Sequence, residues 1–94
     1  MKEASKSTKL RGGYYTPASI ARFLVSWGIR ASTDTILEPS CGDGNIALEA
    51  ALRSKSLGAR ASRLTALELF PEETRKARAR FRERGLKPTG IECA

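Results

Sequence analysis

A short apolar run followed directly by a segment rich in proline and glycine constrains this chain more than any other feature. The run covers residues 35–38 between Asp34 and Pro39, a pattern typical of a short buried strand. Proline and two glycines in residues 39–44 predict a loop. Residues 45–53 then carry small apolar side chains at helical spacing. A strand, a tight loop and a helix in this order predict a parallel α/β sheet.

A helix is predicted before this unit. Thr16 is expected to cap its N-terminus, with Pro17 in the first position and Gly28 at its end. The apolar residues of this segment recur at i, i+3, i+4 and i+7, which predicts one stripe packed in the core. That stripe consists of Ile20, Phe23, Leu24 and Trp27.

A second strand and a third helix are predicted after it. Residues 64–68 form an apolar run that ends in an acid, and Pro71 is expected to start the helix. Ala77 and Phe81 are expected on the inner face of that helix, which should end at Gly85. Residues 90–94 resemble the beginning of a third strand.

The length of 94 residues limits how much of such a fold is present. Doubly wound sheets usually occupy about 150 residues or more. We therefore expect an α/β chain with a partial Rossmann-like fold, in which a helix precedes a β-α-β-α unit and the sheet is incomplete. Residues 1–12 are predicted to be a flexible basic arm and residues 13–94 the partial domain. An incomplete sheet exposes an edge strand, which predicts self-association or dependence on a missing C-terminal part.

Composition excludes several classes of function. The chain has no histidine, so Ser-His-Asp triads and His-ligated metal sites are ruled out, and no metal is predicted. Two cysteines and the absence of a long apolar run indicate a soluble cytoplasmic protein without a membrane partner. The net charge of +7 is concentrated in residues 1–13 and 71–87. This favours a polyanionic partner, although a solvated basic face is the simpler explanation of the second run.

The glycine segment predicts a nucleotide-type cofactor site. Gly42 and Gly44 allow a ligand to approach the backbone at the start of a helix, and Ala47 completes a G-x-G-x-x-A spacing. Asp43 and the preceding Glu38 would repel the diphosphate of a dinucleotide. S-adenosylmethionine carries an ammonium and a sulfonium instead, which carboxylates favour. Glu68 ends the second strand, where an acid can accept ribose hydroxyls.

Three segments resemble motifs of adenine-N6 DNA methyltransferases. Residues 38–44, E-P-S-C-G-D-G, resemble the first motif of that family, and Y-T-P at residues 15–17 resembles the segment that precedes it. Residues 66–69, A-L-E-L, resemble the second motif. Their order and spacing are more specific than the glycines alone. The resemblance covers residues 11–84 and implies a domain that binds S-adenosylmethionine.

The resemblance also implies roles for particular residues. Thr16 and the loop from Ser40 to Gly42 would hold the methionine end of the cofactor, with Glu38 on the side of its ammonium group. Glu68 would bind the ribose hydroxyls and Leu69 would pack on the adenine. The predicted cofactor-binding residues are therefore Tyr15, Thr16, Glu38, Ser40, Cys41, Gly42, Glu68 and Leu69. Simpler roles are open for two of them, with Thr16 a helix cap and Cys41 a small buried residue.

The chain departs from the family in its catalytic part. It contains neither N-P-P-Y nor D-P-P-Y, so no catalytic residue is assigned and the chain is expected to be inactive alone. The resemblance implies the truncated cofactor half of a restriction-modification methyltransferase, with DNA as partner through the full-length enzyme or the basic arm and third helix. Two alternatives are a small basic nucleic-acid-binding module without enzymatic activity and a fragment of an NAD-binding oxidoreductase.

Overall fold

The computed structural model describes residues 16–39, 42 and 44–94 and contains three helices and three strands in that part of the chain. The helices are α1 (Ala18–Gly28), α2 (Asn45–Ser56) and α3 (Pro71–Glu83). The strands are β1 (Thr35–Glu38), β2 (Arg63–Glu68) and β3 (Ile91–Cys93). All strands are parallel in the order β1-β2-β3. The predicted incomplete α/β sheet is confirmed, including its third strand.

Side-chain burial alternates along β2, which shows that one face of the sheet is covered. Leu64, Ala66 and Glu68 are buried, whereas Arg63 and Thr65 are exposed. The core combines these apolar strand residues with the inner faces of α2 and α3, including Ala77 and Phe81 as predicted. The prediction that β1 is a buried strand is wrong, because its residues alternate between exposed and half-buried. Strands of parallel sheets are fully buried only where both faces are covered.

The predicted core face of α1 is also wrong. Ala21 and Val25 are the buried residues of this helix, whereas Phe23 is 70% exposed and Trp27 is 74% exposed. Ile20 and Leu24 are exposed as well. The helix begins at Ala18, its N-cap is Pro17, and no side chain caps it, so Thr16 is not the N-cap. A small residue such as Ala21 allows α1 to approach α2 closely, which turns the larger side chains away from the core.

Polar contacts hold α1 against α2. The Arg53 guanidinium donates from Nε to the carbonyl oxygen of Ile29, at 3.0 Å, just after α1 ends. Farther along the helix pair, Arg22 Nε lies 3.5 Å from Oε1 of Glu49, whose side chain is buried. The last carbonyls of a helix lack partners within it, and Nη2 of Arg53 also donates to one of them, the carbonyl oxygen of Ser26 at 3.4 Å.

The outer edge of β3 is closed by a side chain. Arg78 of α3 donates from Nε and Nη2 to the carbonyl oxygen of Ile91, at 3.0 and 2.7 Å. The amide of Ile91 donates to the carbonyl oxygen of Pro88 at 3.1 Å. Both backbone groups of Ile91 are therefore occupied on the side away from β2. A further strand therefore cannot pair with Ile91 at this edge.

Gly44 is required by packing between helices. It has a φ of 91° and is buried at the start of α2. A Cβ atom at this position would lie 2.9 Å from the Cβ of Ala77 in α3. The glycine predicted to admit a ligand thus allows α2 and α3 to meet.

We expect Gly44→Ala to lower the free energy of unfolding by about 1–3 kcal/mol more than Gly58→Ala does. Gly58 is the matched control, because its φ is 104° but a Cβ there would meet nothing within 4 Å. Both variants carry the strain of a left-handed backbone, and only Gly44→Ala adds the overlap with Ala77. Urea denaturation followed by circular dichroism measures the difference, and equal losses would contradict this role of Gly44.

We expect Arg78→Ala to cost about 1.5–3 kcal/mol of unfolding free energy, because a charged donor is removed from a backbone carbonyl. Arg75→Ala is the control, since Arg75 is exposed on the same helix and its loss should change stability by less than about 0.5 kcal/mol. The same denaturation experiment compares the two. Equal stability of both variants would show that the Arg78 bonds do not hold the β3 edge.

Candidate functional site

The candidate site lies at the carboxyl edge of the sheet, where the segments after β1 and β2 meet. Its centre is Glu68, the last residue of β2, which is 6% exposed. Oε1 of Glu68 accepts a hydrogen bond from the amide of Gly42 at 3.0 Å. Oε2 accepts one from the amide of Phe70 at 2.7 Å. One carboxylate therefore joins the glycine segment after β1 to the turn after β2.

The Glu68 carboxylate keeps further capacity to accept hydrogen bonds. An ionised carboxylate has about four lone-pair sites, and two backbone amides use one site on each oxygen. Lone pairs of the carboxylate therefore remain for the hydroxyl groups of a ligand. The structure brings Glu68 and Gly42 together as the sequence predicts, and it adds a structural role for Glu68 that the sequence does not indicate.

Asn45 is a site residue that sequence reasoning missed. Its side-chain amide, at the first position of α2, donates from Nδ2 to the carbonyl oxygen of Thr16 at 2.7 Å. The segment before α1 is thereby tied to the start of α2, beside the glycine segment. The only signal in the sequence is a polar residue directly after Gly44, and an asparagine there is equally typical of an ordinary helix start.

The remaining predicted residues take different positions. Glu38 is half-buried at the end of β1, and Leu69 is 67% exposed directly after β2. Thr16 is half-buried, and its backbone rather than its hydroxyl makes the contact with Asn45. Tyr15, Ser40 and Cys41 lie outside the described residues, so their predicted roles remain predictions.

The helix α3, which begins at Pro71 just after the turn that Glu68 stabilises, carries basic side chains along its length. Arg75 and Arg82 are exposed along it, and Arg84 follows its last residue. Lys76 makes an ion pair with Glu73 at 3.3 Å, and Arg78 is held by the Ile91 carbonyl. The cations available to a polyanion on this helix are therefore fewer than the sequence alone indicates.

Two further kinds of site are absent from the described part of the chain. Within it, no group of three or more acidic or cysteine side chains is arranged to hold a metal ion. Among the same residues, no helix combines the length and apolar character that crossing a bilayer requires.

Two of the solved structures that resemble this chain are an RNA methyltransferase and a subunit of a restriction enzyme. An RNA methyltransferase from Salinibacter ruber, in complex with S-adenosyl-L-homocysteine, is 26% identical with a TM-score of 0.66. The match covers 86% of this chain and 48% of that protein. A protein from Vibrio vulnificus YJ016, assigned as a modification subunit of a type I restriction enzyme, is 19% identical with a TM-score of 0.58. That match covers 87% of this chain and 22% of the other, so this chain spans about half of the first protein and less of the second.

Comparisons of sequence place the chain in a family. No curated protein matches it. The family model named UPF0020, an RMKL-like methyltransferase domain, matches residues 15–93. This match includes all six helices and strands described above, together with Glu68 and the glycine segment. The chain therefore belongs to the UPF0020 family of RMKL-like methyltransferase domains.

Proposed function

We propose that this chain is the cofactor-binding part of a methyltransferase that transfers a methyl group from S-adenosylmethionine to nucleic acid, at adenine N6 of DNA. The observation that carries the proposal is the buried Glu68 carboxylate at the end of β2, bonded to the amide of Gly42. Ligands of open parallel sheets bind at the carboxyl edge of the strands. Glu68 lies at that edge with lone pairs left for the hydroxyls of a ribose.

The charge of the site supports S-adenosylmethionine over a dinucleotide. Glu38 and Glu68 end neighbouring strands, and Asp43 lies in the glycine segment between them. The two carboxylates that end these strands at one edge of the sheet favour a ligand with an ammonium and a sulfonium and oppose a diphosphate. The Salinibacter ruber protein, which was crystallised with S-adenosyl-L-homocysteine, supports the same cofactor class.

Two observations bear on the nucleic acid substrate. The E-P-S-C-G-D-G segment resembles adenine-N6 DNA methyltransferases, and one structural neighbour is assigned to a restriction enzyme. The Salinibacter ruber neighbour acts on RNA, which makes RNA the second candidate substrate. This chain has no N-P-P-Y or D-P-P-Y segment, so methyl transfer requires further protein that supplies the catalytic motif. Sequencing the gene beyond codon 94 tests this assignment. A downstream segment that encodes N-P-P-Y or D-P-P-Y would support methylation at adenine N6.

We expect the chain to bind S-adenosylmethionine in calorimetric titration, and Glu68→Gln to weaken binding by about tenfold or more. An amide in place of the carboxylate removes the charge and places an N–H donor against a backbone N–H or a ligand hydroxyl. Glu72→Gln is the matched control. This substitution removes the same charge from a side chain that is exposed in the first turn of α3.

Hydrogen exchange at the Gly42 amide separates the two roles of Glu68. Faster exchange in Glu68→Gln without cofactor reports the lost bond to Gly42, and the calorimetric titration reports the cofactor. A folded wild-type chain that produces no binding heat with S-adenosylmethionine, or that binds NADH in preference to it, would contradict the proposed cofactor.

We expect α3 to contribute to nucleic acid binding through Arg75 and Arg82. The double variant Arg75→Gln/Arg82→Gln should lower the slope of log affinity against log salt by about two, because each cation that contacts a phosphate releases about one counterion. Filter binding to DNA and RNA duplexes of the same sequence measures the slope and compares the substrates. Arg30→Gln is the control, since Arg30 is an exposed cation that follows α1 and does not belong to α3. An unchanged slope in the double variant would exclude this surface.

A further inference from the structure

A cavity of about 310 Å³ lies at the amino edge of the sheet. Its walls are the end of α2, the loop that leads into β2, the end of α3 and the loop that leads into β3. All of its lining residues lie between Ala51 and Gly90, and none belongs to α1 or β1. We call it the amino-edge cavity. Its walls therefore all belong to the described part of the chain.

The amino-edge cavity is separate from the candidate cofactor site. Leu64 lines it near the start of β2, whereas Glu68 ends the same strand. Four residues of a parallel strand span about 13 Å, so the two sites lie at opposite ends of β2. Neither Glu68 nor Gly42 lines the cavity. A ligand bound in it would leave the cofactor site unoccupied.

The inner wall of the cavity is apolar. Phe81 of α3 is 2% exposed and Leu64 is 6% exposed, and both line the cavity from the core. Leu86, which is half-buried, also lines it. The volume falls at the lower end of the range for organic ligands, about 300–1,000 Å³, and such pockets combine apolar walls with a few polar groups. The cavity therefore has room for more than an inorganic ion.

The rim of the cavity is basic. Lys55, Arg60 and Lys87 line it and are exposed, and no acidic residue is among the lining residues. Within the described part of the chain, none of these three side chains makes an ion pair. Lys55 lies in the last turn of α2, where the helix dipole favours a cation, but Arg60 and Lys87 lie in loops. The dipole therefore does not account for the cluster.

The sequence around the cavity has one sign of charge. Residues 50–67 and 84–91 contain no aspartate or glutamate, and their cations are Arg53, Lys55, Arg60, Arg63, Arg84 and Lys87. At the other end of the sheet, β1 and β2 end in Glu38 and Glu68. The amino edge consequently attracts anions, whereas the carboxyl edge attracts cations.

We propose that the amino-edge cavity binds a nucleotide, with the phosphate at the basic rim and the base against the apolar wall. A phosphate monoester carries about 1.5 to 2 negative charges at neutral pH and three acceptor oxygens, which suits three cations better than one carboxylate does. Arg60 can donate two parallel hydrogen bonds to it, and Lys55 and Lys87 supply point charges. Every base has a flat apolar face that can lie on such a wall.

The nucleotide has two sources with the same chemistry. It is a free nucleotide or one unit of a nucleic acid strand, and each presents a phosphate ester beside a base. The inference does not rest on the proposed cofactor, because the two sites share no residue.

Titration of the 94-residue chain with uridine 5′-monophosphate, followed by amide chemical shifts, tests the proposal. A uridine probe avoids the adenosine group of the cofactor. We expect saturable shifts in residues 59–64 and 85–90, with a dissociation constant of about 1 mM or lower. Uridine, which lacks the phosphate, should bind at least tenfold more weakly. Equal binding of uridine, or shifts confined to Gly42 and Glu68, would overturn the proposal.

S-adenosyl-L-homocysteine separates this result from the proposed function. At saturation it should leave the dissociation constant of uridine 5′-monophosphate unchanged, because the ligands occupy opposite ends of β2. Displacement would overturn the proposal. If the chain binds no S-adenosyl-L-homocysteine, the proposed cofactor fails while the nucleotide titration still reports on the amino-edge cavity.

The dinucleotide uridylyl-(3′,5′)-uridine, whose one phosphate is internal, distinguishes the two sources. Binding as tight as that of uridine 5′-monophosphate, or tighter, would support the proposal with a nucleic acid strand as the ligand. Weaker binding would support it with a free nucleotide. No saturable binding of either probe would overturn it.

The double variant Arg60→Gln/Lys87→Gln should raise the dissociation constant of uridine 5′-monophosphate about tenfold or more. Both side chains are exposed, so circular dichroism is expected to show an unchanged fold. Arg63→Gln/Arg84→Gln is the matched control. It removes the same charge from two exposed side chains that do not line the cavity. Equal losses in the two double variants would show that net charge alone attracts the nucleotide and would overturn the assignment.

Discussion

The geometry of the candidate site depends on the Glu68 carboxylate. A buried carboxylate needs hydrogen-bond donors, and here the donors are backbone amides of two different segments, at Gly42 and Phe70. The same group therefore stabilises the turn after β2 and fixes the glycine segment relative to the sheet. Because both segments border the carboxyl edge, one side chain sets the position of the backbone that a ligand would meet.

The parts of the fold that local rules determine were predicted from sequence. The bounds of β1 follow from Asp34 and Pro39, which leave room for a four-residue strand. The start of α3 follows from Pro71, which suits the first turn of a helix and is unsuited to its interior. The meeting of Gly42 and Glu68 also follows from sequence, since the ends of parallel strands share one edge of the sheet.

Features that depend on which element packs against which could not be predicted from the sequence. Periodicity shows that Phe23 and Trp27 share a face of α1, but it does not show whether another element packs on that face. The core instead uses the small side chain of Ala21, because it permits close approach between helices. The bonds from Asn45 and Arg53 to backbone carbonyls arise from tertiary structure, and no local pattern in the sequence indicates them.

The order of strands in the sheet, β1-β2-β3, is also their order along the chain. Each strand therefore pairs with its neighbour in sequence across a crossover that contains one helix, and among the described residues no strand pairs with a more distant segment. This order closes one crossover at a time, and closing a shorter loop costs less chain entropy than closing a longer one. A chain emerging from the ribosome can consequently pair β1 with β2 before β3 has been synthesised, so that the sheet assembles in the direction of translation.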